Sequence, residues 1–195
     1  FLSIFFNMIV KQKKLEFLIP CQHWRTHKGF KMDIDYILDR HAPLINFNKD
    51  EITNGDKALN SINFDIKKKF FCFANRDQQF RNDNDSFDQK IRNFKVSSFD
   101  LALKNLTNEN MKAVRMGVEN EEKLIYSNKY IFDYSFSKIK SNFLDFYIVS
   151  KCDFFVSGNS GINDIPVMFR KPILSINMLP YSVKNNDNQF HKLII

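Results

Sequence analysis

The sequence predicts an α/β protein, a parallel sheet with helices on both faces. Three observations predict it. From residue 70 onward, short apolar runs that end in polar residues alternate with segments of helical periodicity. Their order is strand, helix, strand, strand, helix, strand, helix, strand, as expected of successive crossover units. Two of the five glycines, Gly158 and Gly161, sit together where one strand would end.

The elements follow in order. Within residues 1–43, KLEFLIP reads as a strand. DIDYILDRH, with Ile34, Ile37 and Leu38 at helical spacing, reads as a short amphipathic helix. NKDEITNGDKALNSI is a polar, charged helix and FDIKKK a connector. FFCFANRD is an apolar strand with a polar end, followed by the loop RNDNDSFDQKIRN. SSFDLALKNLTNEN places Phe99, Ala102, Leu103 and Leu106 on one helical face, with Ser97 or Ser98 as the cap. MKAVRMG is a strand closed by Gly117, and YIFDYS is another. SNFLDFYIVSKC is a helix with Phe143, Leu144, Tyr147 and Ile148 on one face. DFFVSGNSG is a strand and its exit, INDIPVMFRKP a helix, and ILSIN the next strand. Pro166 would disturb a helix already begun at Gly161, so its regular part is expected nearer Asn163.

The 195 residues are 44% hydrophobic and 26% charged, ordinary for a soluble globular chain. The net charge of +7 comes from scattered lysines, clustered only at Lys11–Lys14 and Lys67–Lys69. With no nucleic-acid-binding motif, no nucleic-acid partner is expected. Cys21, Cys72 and Cys152 are odd in number and far apart. Cys72 and Cys152 lie in apolar surroundings and read as buried free thiols of a reducing compartment. FLSIFFNMIV is too short to span a bilayer, and its charges follow it, unlike a signal peptide. It and the closing FHKLII read as elements cut from a longer chain.

In open parallel sheets ligands bind beyond the carboxyl ends of the strands. The candidates there are Asn75, Arg76 and Asp77; Arg115, Met116 and Gly117; Asp133 and Ser135; Ser157 to Gly161; and Asn177. The run Ser157-Gly158-Asn159-Ser160-Gly161 has the chemistry of an anion cradle, and equally that of a tight strand–helix turn. Arg76 can bind a diphosphate bidentately or pair with Asp77 or Asp83.

Three catalytic patterns are set aside. Gly158-Asn159-Ser160-Gly161-Ile162 resembles a nucleophile elbow, with Asp187 and His191 in hydrolase order, but Ile162 stands where the motif needs glycine. Asp33-Ile34-Asp35 and Asp83-Asn84-Asp85 match a D-x-D pattern on a helix beside apolar residues and in a polar loop, where solvated carboxylates suffice. His23 and His27 lack the intervening glutamate of a zinc helix.

FFCFANRD, MKAVRMG, IFDYSFSKIKSNFLDFYIVSKCDFFVSGNSG and IPVMFRKPILSIN, preceded by LINFNKDEITNGDKAL, together resemble a bacterial glycosyltransferase family of surface carbohydrate biosynthesis with GT-B architecture. That family has a strand ending in R-D, a strand ending in R-M-G, a D-Y after the next strand and a G-x-S-G loop before a Pro-containing helix. Here these fall at Arg76-Asp77, Arg115-Met116-Gly117, Asp133-Tyr134 and Gly158-Asn159-Ser160-Gly161. The resemblance spans roughly residues 44–181. Ala74 and Asn75 replace the family's frequent His before R-D. More distantly, the family resembles fucosyltransferases whose strand-end Arg contacts a nucleotide diphosphate.

The resemblance implies a Rossmann-like, nucleotide-sugar-binding domain over residues 67–195, the C-terminal half of a GT-B fold, behind a remnant of an acceptor domain and linker over 1–66. It implies sugar transfer from a nucleotide-diphosphate donor to a glycan or lipid-linked glycan acceptor, without metal or other cofactor. Arg76 would neutralise the leaving diphosphate as the catalytic residue. Asn75, Asp77, Arg115, Gly117, Asp133 and Ser157 to Gly161 would line the donor site. Arg115 would contact nucleotide or diphosphate, or else form a strand-end ion pair; Asp133 would bind a ribose or cap the next helix. The location implied is cytoplasmic, at the inner face of the membrane if peripherally associated. The alternative is a non-catalytic Rossmann-like module that holds a nucleotide or a partner.

Overall fold

The central apolar runs Phe70–Ala74, Lys112–Arg115 and Phe154–Ser157 form strands whose side chains are buried on both sheet faces, which is why the runs are continuous rather than alternating. The computed structural model describes residues 40–43, 45–77, 92–118, 122–158, 160–177 and 191–193. In chain order the elements are α1 (Lys49–Asn60), β1 (Phe70–Ala74), a 3-10 turn (Val96–Phe99) continuing into α2 (Asp100–Leu106), β2 (Lys112–Arg115) and β3 (Ile131–Asp133). A 3-10 turn (Tyr134–Phe136), α3 (Asn142–Lys151), β4 (Phe154–Ser157), a 3-10 turn (Gly161–Asn163), α4 (Asp164–Met168), β5 (Ile173–Ser175) and β6 (His191–Leu193) complete them. The strand and helix expected before residue 40, with His23, His27, Asp33 and Asp35, lie outside the described residues, as do Asp83 to Asp85, Asn159 and Asp187.

The six strands form one sheet in the order β3-β2-β1-β4-β5-β6, every pair parallel. From β1 the chain winds outward through β2 to β3, then returns to the other side of β1 with β4 and winds away through β5 to β6. The carboxyl ends of β1 and β4 are therefore neighbours where the winding reverses, with Ala74 in register with Ser157. That reversal opens the crevice in which doubly wound sheets bind ligands.

Two cores follow from strand alternation. On one face Phe70, Cys72, Val114, Phe155 and Ile173 pack with Leu59 of α1 and Leu144, Tyr147 and Ile148 of α3. On the other, Phe71, Phe73, Ala113 and Val156 pack under Val96, Phe99 and Leu103. Cys72 and Cys152 are buried free thiols, and burial lifts the Cys72 thiol well above its usual range.

Residues 47–66 join this core through Phe47, Leu59 and Phe64. Asn48 accepts from the Glu51 amide at 2.9 Å while Glu51 accepts from the Asn48 amide at 2.7 Å, a reciprocal cap that starts α1. A side chain at Gly55 would strike the Tyr147 ring, so a residue unfavourable within a helix is used for close packing. The Tyr147 hydroxyl then donates to Asp56 Oδ1 at 2.6 Å, tying α1 to α3.

The helix after β1 differs in detail from the expectation. Its buried stripe is Val96, Phe99, Leu103 and Thr107, while Ala102 and Leu106 face solvent. Ser97 and Ser98 sit inside the 3-10 turn and make no cap. The 3-10 turn winds more tightly than an α-helix, so a uniform 3.6-residue period shifts the stripe. The expected late start of the helix after β4 is observed: Gly161–Asn163 is 3-10 and α4 begins at Asp164. Pro166 thus lies in the first turn, where its missing N–H removes no helical bond.

Candidate functional site

The polar strand ends form two clusters on opposite sides of the sheet. Arg115 ends β2 on the same face as Ala113, and its side chain is fully buried. Its Nη1 donates to Asp133 Oδ2 at 3.2 Å and to the Glu122 carbonyl at 2.6 Å; its Nη2 donates to Asn75 Oδ1 at 3.1 Å. Asp133 also accepts from Ser135 Oγ at 2.6 Å, and Asn75 donates to the Phe94 carbonyl at 3.3 Å. The guanidinium therefore bolts together the ends of β1, β2 and β3, and its charge is balanced inside the cluster. Asp133 makes no side-chain cap for the turn that follows it.

Gly117 follows with φ of 144°, a backbone conformation that favours glycine. Met116 is buried in the core. Tyr134 is buried too; its hydroxyl donates to the Ser141 carbonyl and accepts from the Ser141 amide, holding in place the serine that caps α3. Burial raises its ionisation well above the usual tyrosine range.

The second cluster lies on the other face, at the end of β4. Ser157 is fully buried, and its hydroxyl donates to Asn163 Oδ1. Asn163, also buried, donates through Nδ2 to the Gly158 carbonyl at 2.8 Å. One amide thus clamps both ends of the exit from β4. Gly158 has its own packing reason: a Cβ there would sit 2.7 Å from Cε1 of the Phe94 ring. Gly161 is exposed, and a Cβ there would meet nothing within 4 Å. Ser160 is half-buried and its carbonyl accepts from the Asn163 amide at 3.2 Å. The N–H groups that open the 3-10 turn at Gly161 have no intrahelical partner by construction.

Arg76 and Asp77 follow β1 directly, half-buried, beside this loop. The Arg76 carbonyl accepts from the Phe94 amide at 2.9 Å. Asn177, beyond β5, donates to the Arg92 carbonyl at 3.4 Å, so the 92–94 segment reaches from β1 to β5 across this edge. Because Ala74 pairs with Ser157, the backbone leading to Arg76 and Asp77 leaves the sheet next to the backbone leading from Ser157 to Gly158, whereas the Arg115, Asp133 and Asn75 side chains meet one another on the other face. Asn163 and Phe94, which shape the loop, were not among the sequence candidates; an Asn soon after a Gly-Ser run was the available signal for the first.

Among the described residues no group of three or more His, Cys, Asp or Glu is arranged to hold a metal ion, and no helix is long and apolar enough to cross a membrane.

No known protein family matches the sequence, and no curated protein matches it either. The structure does match a solved one, the glycosyl transferase family 9 protein from Veillonella parvula, with a TM-score of 0.50 and 8% identity. The fold is shared with part of a glycosyltransferase. The match covers 77% of this chain but 42% of that protein, so the chain spans less than half of the longer one. At this identity the likeness speaks for the Rossmann-like α/β fold alone.

Proposed function

We propose that this chain is the donor-binding part of a glycosyltransferase that transfers a sugar from a nucleotide-diphosphate donor to a glycan or lipid-linked glycan acceptor in surface carbohydrate synthesis. The observation that carries the reading is the adjacency of the carboxyl ends of β1, which Arg76 follows, and β4 at the winding reversal of the sheet. The shared fold and the sequence resemblance support it. Arg76 neutralises the charge that develops on the departing diphosphate. The backbone N–H groups opening at Gly161 hold phosphate oxygens. The Ser157 hydroxyl is committed to Asn163, so its part is to fix the loop's shape. Arg115, Asn75 and Asp133 form the frame behind the site, and Asp77 and Ser160 flank it. The reaction needs no metal, and the protein works in the cytoplasm of a bacterium.

A second reading, a module that binds a nucleotide without chemistry, is favoured by one observation. Asp133, a carboxylate at this edge, is engaged by Arg115. Thermal melts with UDP, GDP, ADP and CMP, followed by transfer assays with the sugar conjugate of whichever protects, separate the readings. Protection with transfer supports the first, protection without transfer the second, and no protection by any nucleotide overturns both.

A further inference from the structure

The short helix α4 is held at both ends, and by different parts of the chain. Its C-terminus closes with the two bonds of a Schellman turn. The Lys171 amide donates to the Pro166 carbonyl at 2.9 Å, and the Arg170 amide to the Val167 carbonyl at 3.1 Å. Such a turn needs a left-handed residue at position 170, where glycine is the usual choice. Arg170 takes the conformation with φ of 54°. The other described non-glycine residues with positive φ, Asn63 and Asn177, are asparagines, which tolerate it better. Strain kept at an arginine points to a use for its side chain. Nη1 of Arg170 donates back to the Val167 carbonyl at 2.9 Å and the Met168 carbonyl at 3.4 Å, covering the open end of α4. Its Nε donates to the His41 carbonyl at 3.2 Å, in the segment that leads to α1. It has no carboxylate in ion-pair range among the described residues, so carbonyls are its partners.

Phe47 makes the same connection by packing. It directly precedes Asn48, the cap of α1, where an apolar residue commonly packs on the fourth residue of its own helix. That residue is Ile52, which stands 37% exposed. Phe47 reaches across elements: its ring stacks on Phe169 at 5.7 Å and meets Tyr147 and Phe143 edge-on at 5.2 and 5.8 Å. Phe169 is the residue that ends α4. The segment before α1 is thus pinned to the end of α4 twice, by a guanidinium and by a ring. The start of α4 belongs to the β4 exit. Asn163, directly before Asp164, clamps the Ser157 hydroxyl and the Gly158 carbonyl. Between the two ends Ile162, Ile165 and Val167 pack on the core, and about 9 Å of helix separates Asn163 from Phe169.

We infer that residues 41–48 form a latch that sets the shape of the β4 exit through α4, with Phe47 and Arg170 as its positioning residues. The functional consequence rests on the reading of that exit as the diphosphate site; the mechanical link does not. Coupling of this kind is reciprocal. A seated latch favours the binding shape of the exit, and a nucleotide held at the exit tightens the latch.

The test is hydrogen exchange of the full chain read by mass spectrometry, with and without UDP or GDP. Phe47→Ala empties the space between the three rings. Arg170→Gly removes the tether while giving the turn the residue it prefers, so it opens the latch without straining the fold. In each variant, peptides spanning residues 157–164 should exchange about ten-fold faster, the order expected from a lost aromatic pair or hydrogen bond. Peptides spanning 112–116 and 131–134, at the Arg115 cluster, should keep their native rates. In the native chain, a nucleotide that binds should slow exchange at residues 41–48 as well. Native rates at 157–164 in Arg170→Gly, or an equal rise at both clusters, would overturn the latch. So would a nucleotide that binds and leaves 41–48 unprotected. Should neither nucleotide bind, the donor-site reading fails alone, and the nucleotide-free comparison decides the latch.

Discussion

The two polar clusters at the crevice edge are built from similar residues and do different work. Around Arg115 the charge is met by Asp133, with the Glu122 carbonyl and Asn75 as further acceptors, and the buried Nε alone has no hydrogen-bond partner among the described residues. Around Ser157 the buried groups are neutral, and they fix the path of a short loop whose far end, at Gly161, is exposed. The first cluster has its counter-ion already and reads as framework. The second holds a loop ready and reads as site. Charge at a strand end is thus a poor guide to binding until its counter-ion has been located.

The comparison breaks most directly at Arg115. Arg115→Ala strands Asp133 and Asn75, and the expected loss is about 3–5 kcal/mol in urea unfolding. The fraction that stays folded should bind nucleotide with unchanged affinity; a selective loss of binding would move Arg115 into the site. Gly158→Ala pushes against the Phe94 ring and should cost about 1–3 kcal/mol, measured the same way. Asn163→Ala leaves the buried Ser157 hydroxyl and Gly158 carbonyl short of a partner and should cost about 1–3 kcal/mol. Nucleotide protection in a melt should fall by more than that loss explains, and equal effects on stability and binding would erase the contrast between the clusters.

A pH series sharpens the comparison from outside both clusters. Burial, with a bond to Asp56, lifts the Tyr147 hydroxyl above its ordinary 10.0, and burial lifts Tyr134 likewise. The native chain keeps these protons where the unfolded chain has lost them, so stability is full below about pH 10 and falls as pH rises beyond it. Tyr147→Phe should flatten that decline and leave the neutral-pH behaviour of both clusters alone.

The central strands β1, β2 and β4 were legible because each is a short apolar run buried on both faces, and the order of elements predicts parallel pairing. For Arg115 a strand-end ion pair was one of the two readings its residues allowed, and it is the one observed; its partner was not legible, since the counter-ion lies 18 residues on, in a neighbouring strand. Gly158 suggested a ligand's approach, yet the group that crowds it is Phe94, brought in from a distant segment by the fold. Gly55, unfavourable within a helix, is explained only by the Tyr147 ring across the core. Local pattern predicted the elements; side chains far apart in sequence decided what the polar residues do.

The central claim is that the edge where β1 and β4 meet binds a nucleoside diphosphate through Arg76 and the loop after Ser157. Calorimetric titration of the native chain and of Arg76→Ala with UDP and GDP tests it most directly. The account predicts saturable binding of at least one of them, weakened about ten-fold or more by the substitution, as loss of a charge-assisted contact implies. Unchanged affinity in Arg76→Ala, or no binding of either nucleotide to the native chain, would contradict it.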